Sequence, residues 1–345
     1  MNTAEHGDKG ITSIIKKIVP IAAFAIPFLA LYSIYPASFE QTWKGRTYYM
    51  FFLWLVLLET ILSWEELKSE KWRLKSKKSI ILVSALLLPT IYVSGSFALG
   101  ADAQIVNFAK QNSIIDLANL MPLSIEYLIL TVLFTLILSL EYGITVLREY
   151  SVSILFLGIV GLIYMTDNLY PYGRFTPFQF IVPTTANLAS DVLKMSGQQV
   201  LQSWYQGMPT LFVLDAHGRL LTGGFAIAWP CAGVESLLLY SITILLFLKR
   251  SIIPLWLKVT YFAAGAVVTY FINILRIVTI LQIAMNQGDW QRFHDYYGQL
   301  YSIVWITAYP LLIVGSQFLF AQIRSRRAVR DTTLKAGYAK DGSIS

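Results

Sequence analysis

Three short stretches of the chain carry side chains able to do covalent chemistry. Trp229-Pro230-Cys231-Ala232-Gly233-Val234-Glu235-Ser236 holds the single cysteine, and Asn273-Ile274-Leu275-Arg276-Ile277 sets a guanidinium inside an apolar run. His294-Asp295-Tyr296-Tyr297-Gly298 supplies an imidazole ahead of the last apolar run. Acyl transfer by a cysteine needs a thiolate to attack a carbonyl, an acid or base to move a proton to the leaving amine, and donors to hold the oxyanion. Cys231, His294 and Arg276 match these roles in that order. Pro230 suits a first helical position, which would put the sulfur in a first turn beside unsatisfied amide donors.

Each residue also has a plainer use. A lone cysteine in an apolar helix is most often a small filler, and a lone loop histidine is usually solvated. Arg276 is harder to set aside, because an arginine at mid-depth of a bilayer costs roughly 2.5–3.5 kcal/mol and such residues tend to be functional. Near a helix end it can instead snorkel to the surface. Glu235, four residues after Cys231, shares its helix face and would pair with Arg276 or serve as a structural acid. Asn273 and Gly233 are possible supporting residues. Asp215 with His217 is a competing acid/base pair that ranks behind His294, since Asp-x-His-Gly is a common hairpin turn. Phosphate loops, dinucleotide fingerprints, paired metal-ligand cysteines and HExxH helices are absent, so no metal or cofactor is implied.

The elements that must position these groups are membrane helices. Of the 345 residues, 56% are hydrophobic and only 14% charged, against about a quarter charged in soluble domains. Runs long enough to cross a hydrocarbon core of about 30 Å recur at 19–35, 47–63, 79–99, 123–140, 151–166, 231–248, 257–283 and 300–320. They are continuously apolar, whereas barrel strands alternate, so the expectation is an all-α polytopic membrane bundle of about eight transmembrane helices.

With the N-terminus inside, nineteen basic residues fall on the cytoplasmic side, including the cluster Lys68, Lys71, Arg73, Lys75, Lys77 and Lys78, against seven outside. The positive-inside rule therefore predicts both termini in the cytoplasm. The net charge of +7 is read as headgroup attraction beside helix ends and not as nucleic-acid binding. From Cys231 to Lys249, and from Lys258 to Arg276, is 18 residues each way, about 27 Å, which places Cys231 and Arg276 at similar depth near the outer face. His294 lies 18 residues further on, before the last helix starts, so all three can converge.

Residues 1–323 are expected to form one catalytic membrane domain and 324–345 a disordered cytoplasmic tail. The outer segment 100–121 fits a helix on the interface through Ile105, Phe108, Ala109, Ile115 and Leu117. In the long outer loop 167–230, residues 187–200 fit a short helix, and 210–214 with 219–227 fit a hairpin around Asp215-Ala216-His217-Gly218. A loop of that length is usually functional.

Pro230-Cys231-Ala232-Gly233-Val234 at a helix start, Asn273-x-x-Arg276-Ile277 late in the next helix and His294 before the last together resemble the exosortases and archaeosortases, multi-spanning cysteine transpeptidases. The resemblance covers 224–309 well, and the earlier helices match only in number and hydrophobic character. It implies that Cys231, Arg276 and His294 are catalytic and that the enzyme sits in the cell membrane with its site at the outer face. The implied substrates are secreted proteins whose C-terminus carries a short motif, a transmembrane helix and a basic cluster, with transfer of the new carboxyl end to a lipid or other acceptor. Histidine in the third position matches the bacterial type and some archaeal branches. The alternatives are a cysteine protease with water as acceptor and a transporter in which Arg276, Glu235 and Glu59 line a path.

Overall fold

A computed structural model describes residues 3–41, 44–67, 77–112, 114, 117–170, 180–215, 217–294 and 298–341. Most of the Lys68 to Lys78 cluster, Ile115, Ala216 and Asp295 to Tyr297 lie outside them. The chain divides into two compact units, Met1–Phe180 with Gln206–Met208, and Ile181–Tyr205 with Pro209–Ser345.

The first unit contains α1 (Thr3–Ile34), α2 (Pro36–Glu40), α3 (Thr47–Leu62), α4 (Lys77–Ala98), α5 (Ala101–Gln111), α6 (Met121–Tyr142) and α7 (Ser151–Leu169). Its centre is aromatic. Phe28 stacks on Tyr49 at 4.3 Å, and Phe24 meets Phe134 edge-on at 5.3 Å, linking α1, α3 and α6. The outward faces are apolar instead of charged: on α4, Leu82 and Ala85 are buried while Ile80, Ile81, Leu87 and Ile91 are exposed. Water would penalise that surface, whereas hydrocarbon accommodates it.

Two buried ion pairs fasten the segment ahead of α3. Arg46 grips Glu126 with Nε and Nη2 at 2.9 and 2.8 Å, and Lys44 pairs with Asp167 while donating to Asn168 at 3.0 Å. Tyr49 donates to the same Glu126 carboxylate at 2.7 Å, so neither oxygen is left without a donor. Glu59, a path-lining residue in the transporter alternative, accepts from the Val152 and Ser153 amides at 3.2 and 3.0 Å and from Ser153 Oγ at 2.6 Å. It caps the start of α7, where amide donors lack partners of their own.

Seven helices among the described residues are long and apolar enough to cross a membrane, one fewer than the eight expected. The difference is α3: its 16 residues rise only about 24 Å before the turn at Ser63, less than a core of about 30 Å. The helix expected within 100–121 is α5, whose Ile105 packs with Ala109, Ala118 and Met121.

The second unit contains α8 (Ile181–Met195), β1 (Gln199–Tyr205), β2 (Met208–Leu214), β3 (Phe225–Ala226), α9 (Glu235–Arg250), α10 (Leu255–Met285), the short α11 (Trp290–Arg292) and α12 (Gly298–Asp341). The expected hairpin is present, with β2 and β3 antiparallel in the register Thr210↔Ala226 and Leu211↔Phe225. The expected helix over 187–200 begins and ends earlier, and Gln199 onward is strand. Gln206 and Gly207, at φ +48° and +78°, make the two-residue turn that returns β1 into β2.

Tyr240, Ile244 and Leu248 of α9 pack on Ile306, Tyr309 and Ile313 of α12. Alpha-helix α10 closes on both at Gly265, where an added Cβ would stand 2.0 Å from Tyr240 Oη and 2.5 Å from Tyr309 Cε1. The two tyrosines donate to α10 carbonyls, Tyr240 to Phe262 at 2.8 Å and Tyr309 to Tyr261 at 2.6 Å. These bonds and the missing side chain at 265 fix three helices that must share a site. Alpha-helix α12 runs on to Asp341, so 324–341, expected to be disordered, is helical. Its Arg, Ala and Lys residues are good helix formers, and extending an existing helix avoids the cost of nucleation.

Candidate active site

Cys231 lies in a kinked helical turn, Pro230–Val234, that leads into α9. The turn is irregular because Gly233 takes φ +103°, a value that disfavours any side chain. The first turn does not leave its amides free as expected. The Ala232 amide donates to the Ala228 and Trp229 carbonyls, both at 3.1 Å, so the chain is already coiled before Pro230.

Side chains from neighbouring helices reach the carbonyls of this irregular turn. Asn273 Nδ2 donates to the Cys231 carbonyl at 2.9 Å. A Cβ at Gly233 would approach Asn273 Nδ2 to 3.1 Å, so glycine also lets α10 come this close. Thr185 of α8 is fully buried, and its Oγ1 lies 3.3 Å from the Ala232 carbonyl and 2.8 Å from Tyr270 Oη. Thr269, Tyr270, Asn273 and Arg276 occupy one face of α10, as the helical repeat requires.

His294 follows α11, which Asp289 starts by accepting from the Arg292 amide at 2.9 Å. The imidazole Nε2 is 3.9 Å from Cys231 Sγ, and Cys231 and His294 are both half-buried. Arg276 Nη2 donates to the His294 carbonyl at 3.1 Å, which ties the loop to α10. Its Nε is buried and has no acceptor among the described residues. A buried guanidinium donor without an acceptor is costly, and an oxygen that acquires charge beside it would relieve that cost. Glu235 lies half-buried in the first turn of α9.

The six residues named from the sequence thus gather at one end of the second unit. Thr185 and Tyr270 were missed. Tyr270 was findable as a polar-tipped residue three positions before Asn273, whereas Thr185 lies 46 residues before Cys231 with no motif of its own. Among the described residues no group of three or more His, Cys, Asp or Glu side chains is gathered as a metal ion would need.

The competing pair is a turn. Asp215 accepts from the Arg219 amide at 2.8 Å, Arg219 Nε at 2.9 Å and the His217 amide at 2.9 Å. The Arg219 amide above all, then its guanidinium and the His217 amide, hold this carboxyl below the usual carboxylate range. A lowered folded value means the turn's stabilisation is complete above an ordinary carboxyl pKa of about 4 and is lost only as pH falls through the lowered value. Amide protection at His217 and Arg219 should hold from neutral pH down to about pH 4. Loss of protection well above that pH would show that the Asp215 carboxylate is not what holds the turn.

No curated protein and no solved structure matches this chain. The family model of the transmembrane exosortases matches residues 42–310, most of the chain including Cys231, Arg276 and His294, and the protein therefore belongs to the transmembrane exosortase family.

Proposed function

We propose that this protein is a membrane cysteine transpeptidase that cleaves the C-terminal sorting signal of secreted surface proteins and passes the new carboxyl end to a lipid or other acceptor. The observation that carries the reading is a thiol 3.9 Å from an imidazole whose backbone is held by an arginine with a buried spare donor. In the first half-reaction His294 takes the Cys231 proton and the sulfur attacks the scissile carbonyl carbon. Arg276 Nε–H donates to the resulting oxyanion. Collapse breaks the C–N bond, the amine leaves with the proton from His294, and a thioester remains on Cys231. In the second, an acceptor hydroxyl or amine gives its proton to His294, attacks the thioester and frees the thiol.

In this reading the site opens at the outer face of the cell membrane, with both termini in the cytoplasm. Substrates carry a short motif, one transmembrane helix and a basic cluster, and the chemistry requires no cofactor. The protein and a substrate co-reconstituted in vesicles should yield a hydroxylamine-sensitive adduct of the substrate's N-terminal fragment at Cys231. Mass spectrometry of the product should then show an acceptor adduct at its new C-terminus. A free carboxylate formed through the same adduct would make the enzyme a hydrolase, and product without any adduct would overturn covalent catalysis.

A further inference from the structure

We infer that Thr185 and Tyr270, neither part of the cysteine, arginine and histidine set, are positioning residues that hold the backbone of the Cys231 turn. The role presupposes that Cys231 is the nucleophile. An α-helix satisfies each carbonyl with the amide four residues on, and Gly233 at φ +103° interrupts that pattern just after the cysteine. Two successive carbonyls, those of Cys231 and Ala232, accept from side chains of other helices: Asn273 at 2.9 Å and Thr185 at 3.3 Å.

The hydroxyl geometry gives the pair a direction. Thr185 has one proton, and its Oγ1 stands 2.9 Å from the Ile181 carbonyl and 3.3 Å from that of Ala232. Both are acceptors only, so the proton is shared between them, and Tyr270 donates its own to Thr185 Oγ1 across 2.8 Å. The chain Tyr270 to Thr185 to Ala232 therefore runs from α10 through α8 to the residue after the nucleophile. Asn273, three positions after Tyr270, reaches the carbonyl of Cys231 itself, so α10 bears on two successive carbonyls of that turn, one directly and one through Thr185. Thr185 is fully buried, and water does not offer its carbonyl partner an alternative donor.

Because the chain contains one cysteine, alkylation by N-ethylmaleimide reports that sulfur alone. Full-length protein in lipid vesicles should be compared as wild type, Thr185→Val, Thr185→Ser and Tyr270→Phe. Thr185→Val keeps the branched shape but loses the proton. Alkylation and kcat should fall about 3- to 10-fold, the range for one lost hydrogen bond, with KM changed less than about twofold. Thr185→Ser should recover both readouts, and Tyr270→Phe should give a partial loss. Wild-type alkylation and kcat in Thr185→Val, or a Thr185→Ser variant as impaired as Thr185→Val, would leave only a packing role and overturn the inference. If Thr185→Val does not insert, Tyr270→Phe, which removes one oxygen from a half-buried ring, carries the same comparison. Processing retained by Cys231→Ala would refute the nucleophile, whereas unchanged alkylation refutes the positioning.

Discussion

Cells carrying Cys231→Ala should leave surface proteins with the tripartite tail uncleaved, with processing lower by a factor on the order of 10⁴ or more, as when a covalent nucleophile is removed elsewhere. The size follows from the arrangement. His294 can move a proton only if an attacking atom stands within its reach, and Cys231 Sγ is the atom at 3.9 Å. With alanine there, Arg276 keeps its bond to the His294 carbonyl and the α9, α10 and α12 packing at Gly265 is untouched. The variant should therefore accumulate in the membrane with wild-type thermal stability. Cys231→Ser, which keeps the size but supplies a hydroxyl of far higher pKa, should be inactive as well. Immunoblots for the uncleaved precursor, read beside the amount of enzyme, check both. Full processing by Cys231→Ala would leave the family membership standing and remove the proposed mechanism.

Glu126→Gln should destabilise the protein by about 3–5 kcal/mol, the cost of leaving a buried charge without its partner. Glu126 and Arg46 are both buried, and the guanidinium meets the carboxylate through two nitrogens. Removing the negative charge strands Arg46, and the Tyr49 hydroxyl loses a charged acceptor. The pair itself contributes much less, because taking both ions out of water offsets their attraction. The double variant Arg46→Met with Glu126→Leu should therefore recover most of the loss. Thermal unfolding in one detergent, with each single variant alongside, measures the coupling. A double variant destabilised by the sum of the singles would show that the pair makes no cooperative contribution.

Much of this was legible in the chain because the relevant forces act locally. Apolar runs longer than a bilayer commit themselves to helices, and seven of eight met the length criterion in the structure. Run 47–63 failed because the turn at Ser63 is made by backbone bonds to Glu59 and from Leu67, which hydrophobicity does not register. The strand β1 was missed because the helix read over 187–200 runs through Ser196-Gly197, where Gly197 at φ +84° ends the helix and the chain turns to extended structure.

What the amino-acid order determined by itself was a many-helix membrane protein with one thiol, one intramembrane guanidinium and one imidazole at spacings that bring them to the same end of successive helices. Periodicity and length suffice for that, since a helix rises a fixed distance per residue. Tertiary structure alone decided which polar atoms meet. The Cys231 turn proved irregular, its carbonyls went to Asn273 and Thr185, and Arg276 reached the His294 carbonyl while its Nε stayed unspent. The physical reason is range: a hydrogen bond forms only within about 3 Å, a tolerance far finer than helix spacing can specify and one that packing among separate helices must supply.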